Sequence, residues 1–222
     1  MLHICHLFHK NKHALKSLLN NISTIIFDLG GVVLNLDPQL SIKAFAEQST
    51  LSEDDVLSRF MKSDWSHAFE RGEITAAEFR NEIRNNLEIN LADDEIDQAW
   101  SAMLLDLPLT RLNILGGLRN KYQTFVLSNT NAIHIEVFNK IVADSTGGNS
   151  IENYFDKIYY SHKIGLRKPD KAIYEYIISR NNLLPETTLF IDDMKSNIKG
   201  AVSVGLNTFH LINQEHLEEI FS

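Results

Sequence analysis

A single cysteine, Cys5, stands in 222 residues, so neither an internal disulfide framework nor a CxxC zinc ribbon is available. No apolar run approaches the roughly 20 residues that a membrane-spanning helix needs. That predicts a soluble protein of the cytoplasmic kind, with no membrane partner. Basic residues are in deficit: 21 Lys and Arg face 29 Asp and Glu, a formal charge of −8. Nucleic acids and anionic membranes are held chiefly by basic surfaces, so nucleic acid is not an expected partner either. No internal repeat is visible. What remains, 44% hydrophobic and 23% charged residues, is ordinary globular composition, enough for one α/β domain with an insertion.

The first 21 residues lack Asp and Glu altogether. They carry Lys10, Lys12 and Lys16 together with His3, His6, His9 and His13, for a net charge of +3. Neither a long apolar stretch nor the small-residue cleavage site of a secretory signal is present. Histidines spaced by three and four without an acidic partner are weak metal ligands. Residues 1–21 therefore read as a loosely docked basic N-terminal arm.

Five short stretches are apolar nearly throughout, the pattern of strands covered on both faces. They are Thr24–Phe27, Thr124–Leu127, Ile158–Tyr160, Thr188–Ile191 and Asn207–Leu211. Helical stripes separate the last four: Val137/Phe138/Ile141/Val142, Ala172/Ile173/Tyr176/Ile177 and Ile198/Ala201/Val202. Such alternation predicts a doubly wound parallel sheet of Rossmann-like α/β class. Residues 38–110 break the rhythm with four or five amphipathic helices, marked by Ile42/Phe45/Ala46, Val56/Leu57/Phe60/Met61, Phe79/Ile83/Leu87 and Ile96/Ala99/Trp100/Met103. Thr75 to Glu78 has the form of a capping box opening the third stripe. The chain thus divides into an α/β core, residues 22–37 and 111–222, and an all-helical insert, 38–110, placed after the first strand. Gly147–Ser150 reads as a surface loop, since no strand leads into it as into a phosphate cradle.

Ligands of doubly wound sheets bind beyond the carboxyl ends of the strands. The first strand ends in Asp28, the second in Ser128–Asn129 and the fourth in Asp192–Asp193; Lys168 follows the third. Each type has a task if the substrate is a phosphate ester. An ionised aspartate attacks phosphorus and splits hydrolysis into two easier steps. Carboxylates clustered with a backbone carbonyl form an oxygen-only site suited to Mg²⁺. The Ser128 hydroxyl and nearby amides hold phosphate oxygens, and Lys168 supplies a compact positive charge.

This set, with the insert between the first and second motifs, resembles the haloacid dehalogenase superfamily of aspartate-nucleophile phosphohydrolases, from Ile22 onward. The resemblance implies Asp28 as nucleophile and metal ligand, Ser128, Asn129 and Lys168 as phosphate holders, and Asp192 with Asp193 as metal acids. Asp193 is the direct ligand in this reading, with Asp192 either direct or acting through water. The metal is Mg²⁺, and the Gly30 backbone carbonyl completes its protein ligands. The insert becomes a mobile cap that sets specificity. The motifs at 27–30, 70–74, 127–131 and 167–169 resemble the bacterial branch that includes α-D-glucose-1-phosphate phosphatase, implying a small phosphorylated metabolite as substrate, such as a sugar phosphate. Within the cap, Trp65, His67 and Arg71 precede or adjoin Gly72, where a substrate-facing loop is expected. Trp65 and Phe69 are also spaced i, i+4, as in core packing. The expected assembly is a monomer or weak dimer.

One departure stands out. The superfamily's phosphatases mostly carry a second aspartate two residues after the nucleophile, as acid for the leaving group, and Gly30 occupies that place. Loss of such an acid costs about 10²–10⁴-fold in rate; Asp37 or water is a candidate replacement. Gly30 also keeps two other readings open. One is metal-independent 2-haloacid dehalogenase chemistry, which does not need the acidic pair; the other is a catalytically silent regulator. Divided by segment, the cap holds 15 acids and 6 bases, while residues 111–222 balance at 12 of each. The acidity belongs to the cap as a solvated surface, and anion capture to the core.

Overall fold

The computed structural model describes residues 18–213 and 216–221, so most of the basic arm lies outside the described residues. Its last part does not: Leu19 is buried and packs with Leu18 on the core. The apolar stretches form β1 (Thr24–Phe27), β2 (Gln123–Ser128), β3 (Lys157–Tyr160), β4 (Thr188–Asp192) and β5 (Asn207–His210). All pairs are parallel, in the order β3-β2-β1-β4-β5. The doubly wound sheet read from the alternation of strands and helices is the one observed. β1 and β4 are buried along their whole length, and β2 beyond Gln123. The edge strands β3 and β5 are only partly covered, which is where Lys157, Asn207 and His210 are tolerated. Chain and spatial order part at β1: β2 and β3 lie to one side, β4 and β5 to the other. The crevice beyond the carboxyl ends of β1 and β4 is therefore the switch point at which such sheets bind ligands.

Between β1 and β2 the apolar period becomes helical. The first five helices there are α1 (Pro38–Glu47), α2 (Glu53–Met61), α3 (Asp64–Glu70), α4 (Ala76–Leu87) and α5 (Asp93–Ser101). Their stripes close on one another in an apolar cluster of their own, built on Phe45, Val56, Phe60, Phe79, Ile83 and Ile96. The capping box at α4 is present: Thr75 Oγ1 accepts from the Glu78 amide, and the Glu78 carboxylate accepts from the Thr75 amide at 2.7 Å. Met61, expected on the apolar stripe, is 74% exposed at the last residue of α2, next to the buried Phe60. Met103 lies past the end of α5.

Two linkers join this helical unit to the core, and they pair with each other. Leu36 bridges Leu104 antiparallel, the Leu105 amide donates to the Asn35 carbonyl at 3.0 Å, and the Asp37 amide to the Met103 carbonyl at 3.0 Å. The core is completed by α6 (Leu109–Gly117), α7 (Ala132–Thr146), α8 (Ser161–Ile164), α9 (Lys171–Asn181), α10 (Lys195–Val202) and α11 (His216–Phe221). Alternate residues of the strands feed opposite faces of the sheet. Ile25, Phe27, Val126 and Ile191 join one cluster; Ile26, Phe125, Leu127 and Phe190 join the other, with Ile173 and Ile177 of α9. Among the described residues no helix is long and apolar enough to cross a membrane.

Candidate active site

Asp28 continues the central strand by one residue: its amide donates to the Ile191 carbonyl at 2.8 Å, and its carboxylate accepts from the Leu29 amide at 2.6 Å. Lys168 comes to it from the loop after α8. Its Nζ lies 2.7 Å from Asp28 Oδ1 and 2.8 Å from Asp192 Oδ2, and the side chain is 1% exposed. Burial alone would pull the ammonium's pKa down. Asp192 and Asp28 outweigh it, and the net movement is upward. Burial, reinforced by Asp192, pushes the Asp28 carboxyl well above its usual range, and Lys168 offsets only part of this. Asp193 is raised too, by burial first and then by Asp192.

The two neighbouring acids have different surroundings. Asp192 is fully buried and engaged on every side: its Oδ1 accepts from the Met194 amide at 2.8 Å, and the Asn197 amide group reaches both oxygens at 3.0 and 3.1 Å. Tyr174 donates to the Asn197 carbonyl at 2.8 Å and so steadies that end of α10. Asp193 is half-buried and lies against Gly31. There φ is +76°, and a Cβ would stand 2.5 Å from Asp193 Oδ2, so the backbone and the neighbouring carboxylate both require glycine.

Asp28, Asp192 and Asp193 each bring one oxygen to within 4.8 Å of the other two. A hard, all-oxygen donor set of this size fits Mg²⁺. One ammonium among three carboxylates, two of them buried, also leaves an excess of negative charge, which burial penalises and a divalent cation would balance. The residues present therefore fit the ion that the sequence implies.

Ser128 closes β2. It is 3% exposed, and its hydroxyl makes only a long 3.4 Å bond to the Asn129 carbonyl. The Asn129 side chain is engaged with the loop that carries Lys168. Its Nδ2 donates to the Lys168 carbonyl and its Oδ1 accepts from the Lys168 amide, each at 2.8 Å. Its carboxamide thus matches the Lys168 backbone at both ends and fixes where that lysine starts. Gly30 has no positive φ, and a Cβ there would meet the Leu36 side chain at 3.1 Å. An apolar group therefore fills the space next to the position where an acid was sought. Asp37 caps α1, accepting from the Gln39 amide at 3.0 Å.

In the helical unit, Trp65 packs against Phe60 at 5.1 Å and Phe79 at 5.5 Å between ring centroids. It is half-buried and takes part in the packing of the helical unit. Arg71 is paired through two nitrogens with Glu73, at 2.7 and 2.8 Å, and His67 is half-buried on α3. Asn197 follows the acids in the sequence, but its bonds to Asp192 were not read from it. The ion pair of Glu70 with Arg167 had no signal, since 97 positions separate its members.

A profile of the haloacid dehalogenase-like hydrolase family matches residues 22–205. A D-ribitol-5-phosphate phosphatase of Bacteroides thetaiotaomicron is 31% identical over 188 residues, covering 85% of this chain and 91% of that one. A sesquiterpene phosphatase of Aspergillus oryzae is 26% identical over 191 residues, 84% and 88% of the two chains. Among solved structures, a haloacid dehalogenase family enzyme of B. thetaiotaomicron in complex with magnesium and inorganic phosphate superposes with a TM-score of 0.75 at 34% identity, over 85% of this chain and 93% of that chain. A predicted family hydrolase of Porphyromonas gingivalis gives 0.76 at 28% identity, over 85% and 90%. The chain belongs to the haloacid dehalogenase-like hydrolases and is an enzyme of their phosphatase class.

Proposed function

We propose that the protein is a Mg²⁺-dependent phosphatase of small phosphorylated sugars or sugar alcohols, working through a phosphate ester of Asp28. The observation that carries this reading is the Asp28–Lys168–Asp192 chain at the carboxyl end of the central strand, with Asp193 beside it and Ser128 at the end of the neighbouring strand β2. When bound, Mg²⁺ neutralises the carboxylates and draws charge from the phosphoryl oxygens. Asp193, held over Gly31, is the direct ligand among the two acids; Asp192, saturated by Lys168, Asn197 and an amide, holds the lysine in place.

A carboxylate oxygen of Asp28 attacks phosphorus, a new P–O bond forms, and the ester bond breaks. The departing alkoxide takes its proton from water, since Leu36 and not an acid adjoins Gly30. Water then attacks the phosphorus of the acyl phosphate, which releases inorganic phosphate and restores Asp28. Lys168 stabilises both steps as a fixed charge, and the Ser128 hydroxyl donates to a phosphoryl oxygen. The substrate class is supported by the sugar-alcohol phosphate named for the B. thetaiotaomicron relative; glucose 1-phosphate is one member of it.

The test is phosphate release from a panel holding ribitol 5-phosphate, both anomers of glucose 1-phosphate and p-nitrophenyl phosphate, with Mg²⁺ or with EDTA. Activity should vanish in EDTA and in Asp28→Asn, and 2-haloacids should yield no halide. Turnover by Asp28→Asn at the wild-type rate would overturn the proposal.

A further inference from the structure

Besides the paired linkers, two contacts tie the helical unit to the core among the described residues. One adjoins a linker: Trp100, at the end of α5, stacks on His134 of α7 with centroids 4.8 Å apart. The Trp100 carbonyl accepts there from His134 Nε2 at 3.1 Å and from Ser41 at 2.7 Å. The other is the α3–α4 turn, which lies about midway between the two linkers along the chain. Arg167 Nε and Nη2 each stand 2.8 Å from Glu70 Oε2, with side chains 18% and 25% exposed. Next to it Gly72, at φ +68°, approaches the core so closely that a Cβ would lie 2.2 Å from the His162 carbonyl oxygen. The field of Asp170 also acts on Arg71.

Arg167 is the residue before Lys168, whose amide and carbonyl are clamped by Asn129. One peptide unit thus separates the cap's anchor from the backbone of the lysine that faces Asp28. We propose that Glu70 and Arg167 are a positioning pair: their contact seats the α3–α4 turn on the loop that carries Lys168, and so favours the seated, substrate-competent arrangement. The inference rests on the reading of Lys168 and Asp28 as the phosphate site. An ordinary surface pair would be solvated and worth little. This pair is largely covered, charge-assisted through two nitrogens, and backed by a glycine that allows backbone to meet backbone.

A ligand's apparent affinity falls in proportion to the fraction of protein in the competent state. Loss of the pair should therefore weaken substrate capture more than it slows turnover at saturation. With p-nitrophenyl phosphate and Mg²⁺, Glu70→Gln and Arg167→Met should each raise KM about 10-fold, equivalent to about 1.4 kcal/mol, with kcat within about 2-fold. The reversed pair Glu70→Arg/Arg167→Glu should recover most of the loss. Hydrogen exchange on the full chain gives a readout free of activity. Amides of residues 70–75 and 161–167 should exchange faster together in Glu70→Gln, while those of β1 keep their protection. Unchanged exchange in both segments, or a fall in kcat with KM constant, would overturn the pair's role. Absence of phosphatase activity in the wild type would sink the functional reading while leaving the exchange result to decide the contact.

Discussion

At the scale of single residues, Lys168 bears the heaviest electrostatic demand. A buried ammonium is tolerated because two carboxylates stand 2.7 and 2.8 Å from it. The converse also holds: the carboxylates are tolerated because of the lysine. Removing one member of a buried pair leaves uncompensated charge and costs about 3–5 kcal/mol. Lys168→Met is therefore expected to lose that much stability in denaturant melts, and to lose turnover by about 10²–10³-fold. Adding Asp192→Asn should restore part of the stability, because one of the two orphaned carboxylates is gone, without restoring turnover. Recovery of both together would show that Lys168 serves packing alone. The residues read as chemically active from the strand ends do converge: Asp28, Ser128, Lys168, Asp192 and Asp193 reach one crevice because parallel strands deliver every carboxyl end to the same edge. Asn129 was legible as a residue beside the site, but its side-chain partner was not. Its partner is the backbone of Lys168, 39 positions away, and no local pattern encodes that distance.

At the scale of elements, α7 links the core to the helical unit through His134. Burial pulls this imidazole's pKa down to about 4, opposed by its bond to the Trp100 carbonyl and by Asp97. The folded protein thus holds it neutral, while the unfolded chain takes up a proton near pH 6.5. The contribution to stability is complete above about pH 6.5. It is lost as the pH falls toward 4, by up to about 3 kcal/mol, because over that window only the unfolded state binds the proton. In His134→Phe the ring can still stack on Trp100, and Ser41 still satisfies the Trp100 carbonyl. Urea midpoints of this variant should fall less between pH 7 and pH 4 than those of the wild type. Equal slopes would mean that other groups carry the acid sensitivity. The helix stripe around Trp100 was visible in the sequence, whereas its stacking on a core histidine depends on how α5 meets α7.

At the scale of the whole molecule, the chain holds apolar clusters that barely share residues. One is built from the helical unit, with Ile133 of α7 as its core member; the others line the two faces of the sheet. Phe79 is fully buried in the first and stacks on Phe69 at 4.1 Å. Phe79→Ala should cost about 3–5 kcal/mol, and the loosening should stay within the helical unit. In hydrogen exchange, amides of α1 to α5 would lose protection while β1, β2 and β4 keep theirs. Uniform loss throughout would show that the helical unit and the sheet unfold as one. The uneven charge has the same division, since the acids gather on helices whose apolar sides are turned inward, leaving the acidic faces to solvent.

Hydrophobic period by itself determined most of the architecture. Apolar runs of three to five residues alternating with helical stripes fit a central parallel sheet covered on both faces, and a stretch holding helical stripes alone fits a helical unit, so strands and helices were readable locally. Which residues stand together at the carboxyl edge of the sheet also followed, because parallel strands bring those ends to one side. Three things were decided by tertiary structure alone: the clamp of Asn129 on Lys168, the separate surroundings of Asp192 and Asp193, and the pairing of Glu70 with Arg167. Each depends on side chains brought within about 3 Å by loops and helices distant in the chain. Interactions of that range are set by the packing of whole elements, which sequence spacing does not record.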